Sequence, residues 1–292
     1  MGINDYNRDT NHDWEEIARS EPYYGVLTSD SYKKENLSVD ARAEFFNSGE
    51  MVITNVMQNL NNFDGRNLSK TLDFGAGVGR LVMPMSKFAD KVVAVEISDS
   101  MKNEMLKNLR LFDIHNVNIY KTIDEVISSL DYTGGFDWIN SYIVFQHIPP
   151  NIGYEILDKL LSQLSSQAFI SLHFNIYQHN AEIHGTLQQI DAETIKILDK
   201  EQSQHSGMRM YDYDLNRILR TLLNNNILDF NVYSEDHGSF QTVWIMGRNY
   251  KPAAIDTNNA KNPIHEKTIN DIKNSRWIKL GKKIGFLKWL NV

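Results

Sequence analysis

The chain contains no cysteine. Disulfides, thiolate metal sites and cysteine nucleophiles are therefore excluded, and the cytoplasm is the expected compartment. It also lacks any run of about 18 apolar residues, so no segment is expected to span a membrane. The opening MGINDYNRDTNHDW carries neither the basic start nor the apolar stretch of a signal peptide. Tyr6 stands where a myristoylation pattern needs Ser or Thr. Net positive charge is missing as well: the 292 residues sum to -7, with a pI near 5.7. Affinity for nucleic acid comes mainly from Lys and Arg neutralising phosphates, so no nucleic-acid partner is expected. What is present is an ordinary globular balance, 41% hydrophobic and 23% charged, well away from disorder. The length suits one large α/β domain with additions at both ends.

Helical spacing runs from Asp13 to Leu27, broken at Pro22, and again from about Asp40 to Leu60. Both stretches precede any strand, so residues 1–66 form an N-terminal helical extension. A short apolar run, Thr71 to Phe74, then stops at a glycine cluster and gives way to the helix-like RLVMPMSKFAD. The unit repeats in KVVAVEI, Lys91 to Ile97, followed by a helical pattern with Ser98 as its N-cap. Val117–Tyr120, DEVISSL, FDWINSYIVF, a helix from Asn151 to about Leu164, and AFISLHF continue the alternation. Five strands alternating with helices predict a doubly wound parallel sheet with helices on both faces. After a polar stretch near Gln178 to His205 comes a helix from about Tyr213 to Leu223, then ILDFNVYS and FQTVWIMGR, which read as a closing hairpin. The core domain therefore spans residues 67–250, and residues 251–292 are a linker with a basic, aromatic, amphipathic tail.

Chemistry concentrates in Asp73-Phe74-Gly75-Ala76-Gly77-Val78-Gly79-Arg80, between a strand and a helix. Glycines there admit positive φ and remove the Cβ, so a ligand can lie against the backbone. A dinucleotide fingerprint needs its third glycine where Arg80 stands, and no Walker A motif follows, so NAD and NTP are disfavoured. An acid just before the first glycine suits a ligand with a cationic amino group and would repel a pyrophosphate. Glu96, closing the second strand, suits the vicinal hydroxyls of a ribose. Together these acids describe a cofactor with an amino acid at one end and a ribose at the other.

TLDFGAGVGRL, VVAVEISDSM and FDWINSYIVFQHIPP resemble the signature segments of class I, Rossmann-like S-adenosylmethionine-dependent methyltransferases. The chain is also similar to a bacterial subgroup associated with glycan assembly, through Glu21-Pro22-Tyr23-Tyr24, Phe45-Phe46-Asn47-Ser48-Gly49-Glu50 and Gln146-His147-Ile148-Pro149-Pro150. The resemblance implies a seven-stranded, mainly parallel sheet whose last pair is the hairpin. It implies that Gly75, Gly77 and Gly79 cradle the methionine part of S-adenosylmethionine, beside Arg80. Asp73 is implied near the amino group and Glu96 on the ribose, with Ile97 and Met101 following it in the site. Adenine contacts after the third strand stay open between Thr122 and Asp124.

The expected reaction is methyl transfer, with O-methylation of a hydroxyl on a sugar, glycan intermediate or small metabolite in first place. A cofactor-binding regulatory or scaffold subunit, or a methyltransferase acting on nitrogen or another atom, are the alternatives. An unperturbed imidazole titrates near about 6.5, so His147 suits a general base; equally, it caps the next helix or orders the turn before Pro149. Tyr23 and Tyr24, with Trp14 and Gln146, either cover the substrate or pack the extension on the sheet. The successive spacings of His173, His179, His184 and His205 fit no compact zinc pattern, so no metal is expected. The tail either docks on an anionic inner membrane surface or packs on the domain or on a second subunit.

Overall fold

The structure, a computed structural model, describes residues 10–60, 68–129, 134–178, 187–189, 195–197, 210–238 and 240–249. Three helices come first: α1 (Thr10–Ser20), α2 (Pro22–Val26) and α3 (Val39–Asn59). The alternating part follows as β1 (Leu68–Phe74), α4 (Val82–Met85), β2 (Ala89–Val95), α5 (Asp99–Leu111), β3 (Val117–Tyr120), α6 (Ile123–Ser128), β4 (Phe136–Ser141), α7 (Pro150–Ser162) and β5 (Leu164–Gln178). A small ladder, β6 (Leu187–Gln189) with β7 (Ile195–Ile197), precedes α8 (Leu215–Asn224), β8 (Ile227–Asp236) and β9 (Phe240–Asn249). The main sheet has seven strands in the order β3-β2-β1-β4-β5-β9-β8, as expected. All neighbours are parallel except the pairs made by β9. The described residues all belong to one unit by their chain contacts. The amphipathic tail, His179, His184 and His205 lie outside the described residues. Among those described, no helix is long and apolar enough to cross a membrane.

Strand alternation divides the core into two layers. Leu72, Phe74, Val93, Val95, Ile139 and Ile170 point into a cluster completed by Leu157, Leu161 and Ile218 of α7 and α8. Val92, Ala94, Trp138 and Phe169 face the other side, against Phe45 and Ile53 of α3 and Met101 and Met105 of α5. Period two along each strand produces this sorting, and burial on both faces explains why β1 and β2 read as nearly continuous apolar runs. Side chains set the helix starts: Ser38 accepts from the Ala41 N–H, Ser98 from Met101, Thr122 from Glu125, and Asp214 from Asn216 and Arg217.

Two elements differ from expectation. The helix after the glycine loop covers only Val82–Met85, and the next turns tighten, with Lys87 N–H donating to Pro84 O and Phe88 N–H to Met85 O. Ala89 is already the first residue of β2, paired with Leu68, so sheet pairing ends the helix early. Conversely, β5 runs well past Phe174, because antiparallel β9 supplies ladder partners as far as Gln178. Polar Asn175 and Gln178 hide that extension from a pattern of apolar residues.

The extension meets the loop after β1 through a missing Cβ. A Cβ on Gly49, in the middle of α3, would collide with the carbonyl oxygen of Arg80. Helix propensity alone predicts that Gly49→Ala gains about 0.5–1 kcal/mol. The backbone collision should reverse the sign, to a loss of about 1–3 kcal/mol by urea unfolding. A stabilised variant would mean that α3 does not rest on Arg80.

Candidate functional site

The strand order reverses between β1 and β4, and there the carboxyl ends diverge into a cleft of about 850 Å³. Its lining includes Asp73, Gly75, Gly77, Arg80, Glu96, Ile97, Met101, Gln146 and His147, which the fold brings together from β1, β2, α5 and the segment after β4. Gly75 and Gly77 adopt φ of 77° and 56°. At Gly75 a Cβ would strike the Val144 side chain, and at Gly77 it would lie 2.8 Å from Val26 Cγ2. Gly79 departs from expectation and is absent from the lining. Its φ is 92°, and a Cβ there would lie 2.9 Å from Met105 Cγ, so it lets α5 pack behind the loop.

Asp73 is 2% exposed and lies in register with Asn140 of β4, whose partner on β5 is Ser171. Asn140 Nδ2 donates to Asp73 Oδ1 at 2.8 Å, Ser171 Oγ donates to Asn140 Oδ1 at 2.6 Å, and Trp138 Nε1 donates to Ser171 Oγ at 2.9 Å. This rail crosses three strands and leaves no trace in the sequence, because strand register is not encoded by local pattern. Burial pushes the Asp73 carboxyl up to about 6, against the lowering effects of Asn140 and Arg80.

Glu96 accepts the Gly77 N–H at 2.7 Å on one oxygen and the Ser98 N–H at 2.8 Å on the other. The Ile97 backbone N–H also hydrogen-bonds the carboxylate, and of the roughly four acceptor sites of an ionised carboxyl at least one is left for a hydroxyl donor. Burial raises Glu96 to about 7, with Asp73 adding to the rise. Arg80, 4% exposed, donates through Nη1 to Ser48 Oγ and lies over the Tyr142 ring at 5.5 Å, and its Nε has no hydrogen-bond partner. Gln146 Oε1 and His173 Nδ1, also on cleft residues, are orphaned in the same way. Two buried acids and these orphaned groups fit a ligand with a cationic amino group, hydroxyls and further polar atoms, which is the chemistry of S-adenosylmethionine.

Over the mouth sits α1, where Asn11 and Trp14 line the cleft. Glu15 anchors it by accepting from Ser98 Oγ at 2.7 Å, Ser100 N at 3.1 Å and Ser100 Oγ at 2.6 Å. Burial opposes its charge, but the Ser100 and Ser98 hydrogen bonds outweigh it and hold Glu15 near about 2. Nothing in the sequence singled out Glu15, since its partners lie far along the chain. Trp14 meets the His147 ring edge-on at 5.1 Å. His147 is 9% exposed and lies in a 3-10 turn, Phe145–His147, with Nε2 3.4 Å from Gln146 Nε2. It does not cap α7, whose N-cap is Pro149 with no side-chain cap. Tyr213 Oη donates to Ile148 O at 2.8 Å and Tyr211 N–H to Gln146 O at 2.6 Å, so the segment Tyr211–Tyr213 ahead of α8 braces this turn.

Neither Tyr23 nor Tyr24 lines the cleft, and for Tyr23 the packing alternative describes the contacts. Tyr23 is 2% exposed, donates to Asn108 Oδ1 and packs against Phe45 and Phe46, so it fastens the extension to α5. Lys121, Thr122, Ile123 and Asp124 all line the cleft. Thr122 is engaged as an N-cap and Asp124 in an ion pair with Lys159. His173 and His237 line the cleft, and Glu235 converges on them, a grouping that the histidine spacings did not reveal. Ile143 adds backbone strain at the rim, with φ of 59° on a β-branched residue.

The family model for ribosomal RNA adenine dimethylase matches residues 46–219. No curated protein sequence matches the chain. Among solved structures, it is similar to magnesium protoporphyrin IX methyltransferase from Synechocystis PCC 6803 with SAH bound, at 14% identity and a TM-score of 0.56. That likeness covers 82% of this chain and 100% of the other. The same enzyme with SAM bound aligns at 13% identity and a TM-score of 0.52, over 82% and 98% of the two chains. Similarity at that level speaks for the Rossmann-like methyltransferase fold. The family's description concerns ribosomal RNA, against the expectation of no nucleic acid drawn from overall acidity.

The two raised carboxyls make ligand binding depend on pH. A folded-state value above the ordinary one means that the fold takes up protons, so apoprotein stability falls as pH rises through about 6 to 7. A cationic ligand offsets this once the acids are ionised. Calorimetric affinity for S-adenosylhomocysteine should therefore be higher at about pH 8 than at about pH 5. Asp73→Asn should weaken binding and flatten the dependence; a wild-type affinity indifferent to pH would take Asp73 away from the amino group.

Proposed function

This chain belongs to the ribosomal RNA adenine dimethylase family, a premise that establishes methyl transfer from S-adenosylmethionine; from the cleft itself we propose a hydroxyl of a sugar, glycan intermediate or small metabolite as the acceptor, with His147 receiving the proton. The protein is an S-adenosylmethionine-dependent methyltransferase; the acceptor is the proposed part. The observation that carries it is the position of His147 in the lining of the cleft that holds Asp73, Gly75, Gly77 and Glu96.

When bound, S-adenosylmethionine supplies a methyl group on a sulfonium, and the electron pair of the broken S–C bond stays on sulfur. In this reading Asp73 holds the amino group, Glu96 takes the ribose hydroxyls, and Gly75 and Gly77 let the ligand lie on the backbone. His147, braced by Trp14, accepts the hydroxyl proton as the new O–C bond forms. Holding both reactants close and in line contributes much of the acceleration, so no covalent intermediate is needed. With α1 tied down over the mouth by Glu15, the cleft takes a small acceptor more readily than a folded nucleic acid. The proposal keeps the enzyme in the cytoplasm.

A second reading, methylation of an adenine nitrogen in RNA, is favoured by the family description. Against it, the acids Asp99 and Asp124 stand 3.0 Å from Lys121 and 2.9 Å from Lys159 and offset the positive charge that the two lysines of the cleft would offer a phosphate. Affinity for nucleic acid comes from Lys and Arg that neutralise phosphates and so release the counterions condensed on the nucleic acid.

Label from methyl-tritiated S-adenosylmethionine should enter hydroxylated sugar acceptors and leave ribosomal RNA unlabelled. His147→Ala should keep cofactor affinity while kcat falls by about 10²–10⁴-fold. Label in RNA adenine, or a fully active His147→Ala, would overturn the hydroxyl reading.

A further inference from the structure

His173 on β5 and Glu235 and His237 at the carboxyl end of β8 each bring a ligand atom within 4.8 Å of the others. Strand β9 runs between them, and the register sets His173 beside Trp244 and Glu235 beside Thr242. Since β5 and β8 are both antiparallel to β9, their carboxyl ends emerge on the same edge as the cleft. His237 Nε2 lies 3.6 Å from Glu235 Oε2. That is long for a hydrogen bond, and close to the roughly 3.3–3.5 Å between two ligands held about 2.0–2.1 Å from one tetrahedral ion. Thr242 Oγ1 lies 3.1 Å from the same nitrogen, a contact that ligation would replace.

His173 is the second observation. It is 3% exposed, and its Nδ1 has no hydrogen-bond partner. A buried nitrogen without a partner is costly and asks for an explanation. Its ring is set edge-on to Tyr142 at 5.0 Å and to Trp244 at 5.3 Å, which fixes its direction as an orienting shell does for a metal-bound imidazole. The side chains of Glu235 and His237 are 45% and 40% exposed, and their freedom allows the trio to close on an ion.

We infer that His173, Glu235 and His237 form a binding site for a divalent first-row transition-metal ion on the wall of the cleft. Two imidazoles and one carboxylate, with no thiolate, suit Zn²⁺ or Co²⁺ better than the all-oxygen shells of Mg²⁺ and Ca²⁺. Three protein ligands leave a coordination position open. His173 and His237 line the cleft, so that position is within reach of an acceptor oxygen. Such use of the ion rests on the hydroxyl-acceptor reading; the ion's binding does not.

The test is titration of the tag-free, chelator-treated full chain with Zn²⁺ by calorimetry, and with Co²⁺ followed by visible absorption. One saturable ion per chain is expected. His237→Ala and Glu235→Gln, both at exposed positions, should each weaken it at least about tenfold. His115→Ala, which removes the exposed His115–Asp113 pair, should leave it unchanged. His173→Gln should also lose the ion, with a thermal melt to show that the core still folds. No saturable binding, binding kept in His237→Ala and Glu235→Gln, or binding lost in His115→Ala would overturn the site. A bound ion together with methylation of RNA alone would leave the site standing and remove only the hydroxyl-acceptor reading.

Discussion

Asn140 Nδ2 donates to the buried carboxylate of Asp73, and the rest of the cleft is arranged around keeping that acid inside the sheet. An ionised carboxylate with 2% exposure is expensive unless it is paired or hydrogen-bonded. Asn140 supplies the bond only because β1 and β4 lie in parallel register, Asp73 opposite Asn140. Asn140 is held in turn by Ser171 and Trp138, so the orientation of one amide depends on three strands. Arg80 adds the nearby positive charge, and it is packed between Ser48 of α3 and the ring of Tyr142. Compensation remains partial, as the raised Asp73 and Glu96 carboxyls indicate, and a cationic ligand completes it.

The same economy governs the N-terminal helices. They belong to the same unit as the sheet, and α1 and α2 form part of the cleft. Gly49 lets α3 touch the backbone of Arg80, Tyr23 fastens α2 to α5, and Glu15 ties α1 to the first turn of α5. Removing water from the mouth strengthens electrostatic interactions inside it. Trp14 extends that shelter to His147.

Where residues act through the backbone near them in sequence, their roles were legible. The glycine loop, the strand-ending Glu96, the Ser98 cap and the closing hairpin all follow from local pattern. The helix after the loop was read too long because local propensity does not register that Ala89 is claimed by Leu68 across the sheet. Gly79 looked like a third cradle residue, yet what it accommodates is Met105, which comes near only when α5 folds back. Tyr23 looked equally fit for a lid or a core, and the hydrogen bond to Asn108 decided for the core. Glu15 and the His173–Glu235–His237 grouping left no signal at all, since each is assembled from distant segments.

The sequence by itself determined the βα alternation, the doubly wound class, the switch-point loop and the pair of acids that suit an amino acid and a ribose. These are consequences of period, of φ preference and of charge, which are properties of neighbouring residues. Only the tertiary structure decided how Asp73 is satisfied, which aromatic covers the cleft, and that three ligating side chains meet on its wall. Those depend on strand register and on the packing of helices across layers, which long-range burial sets and no local pattern encodes.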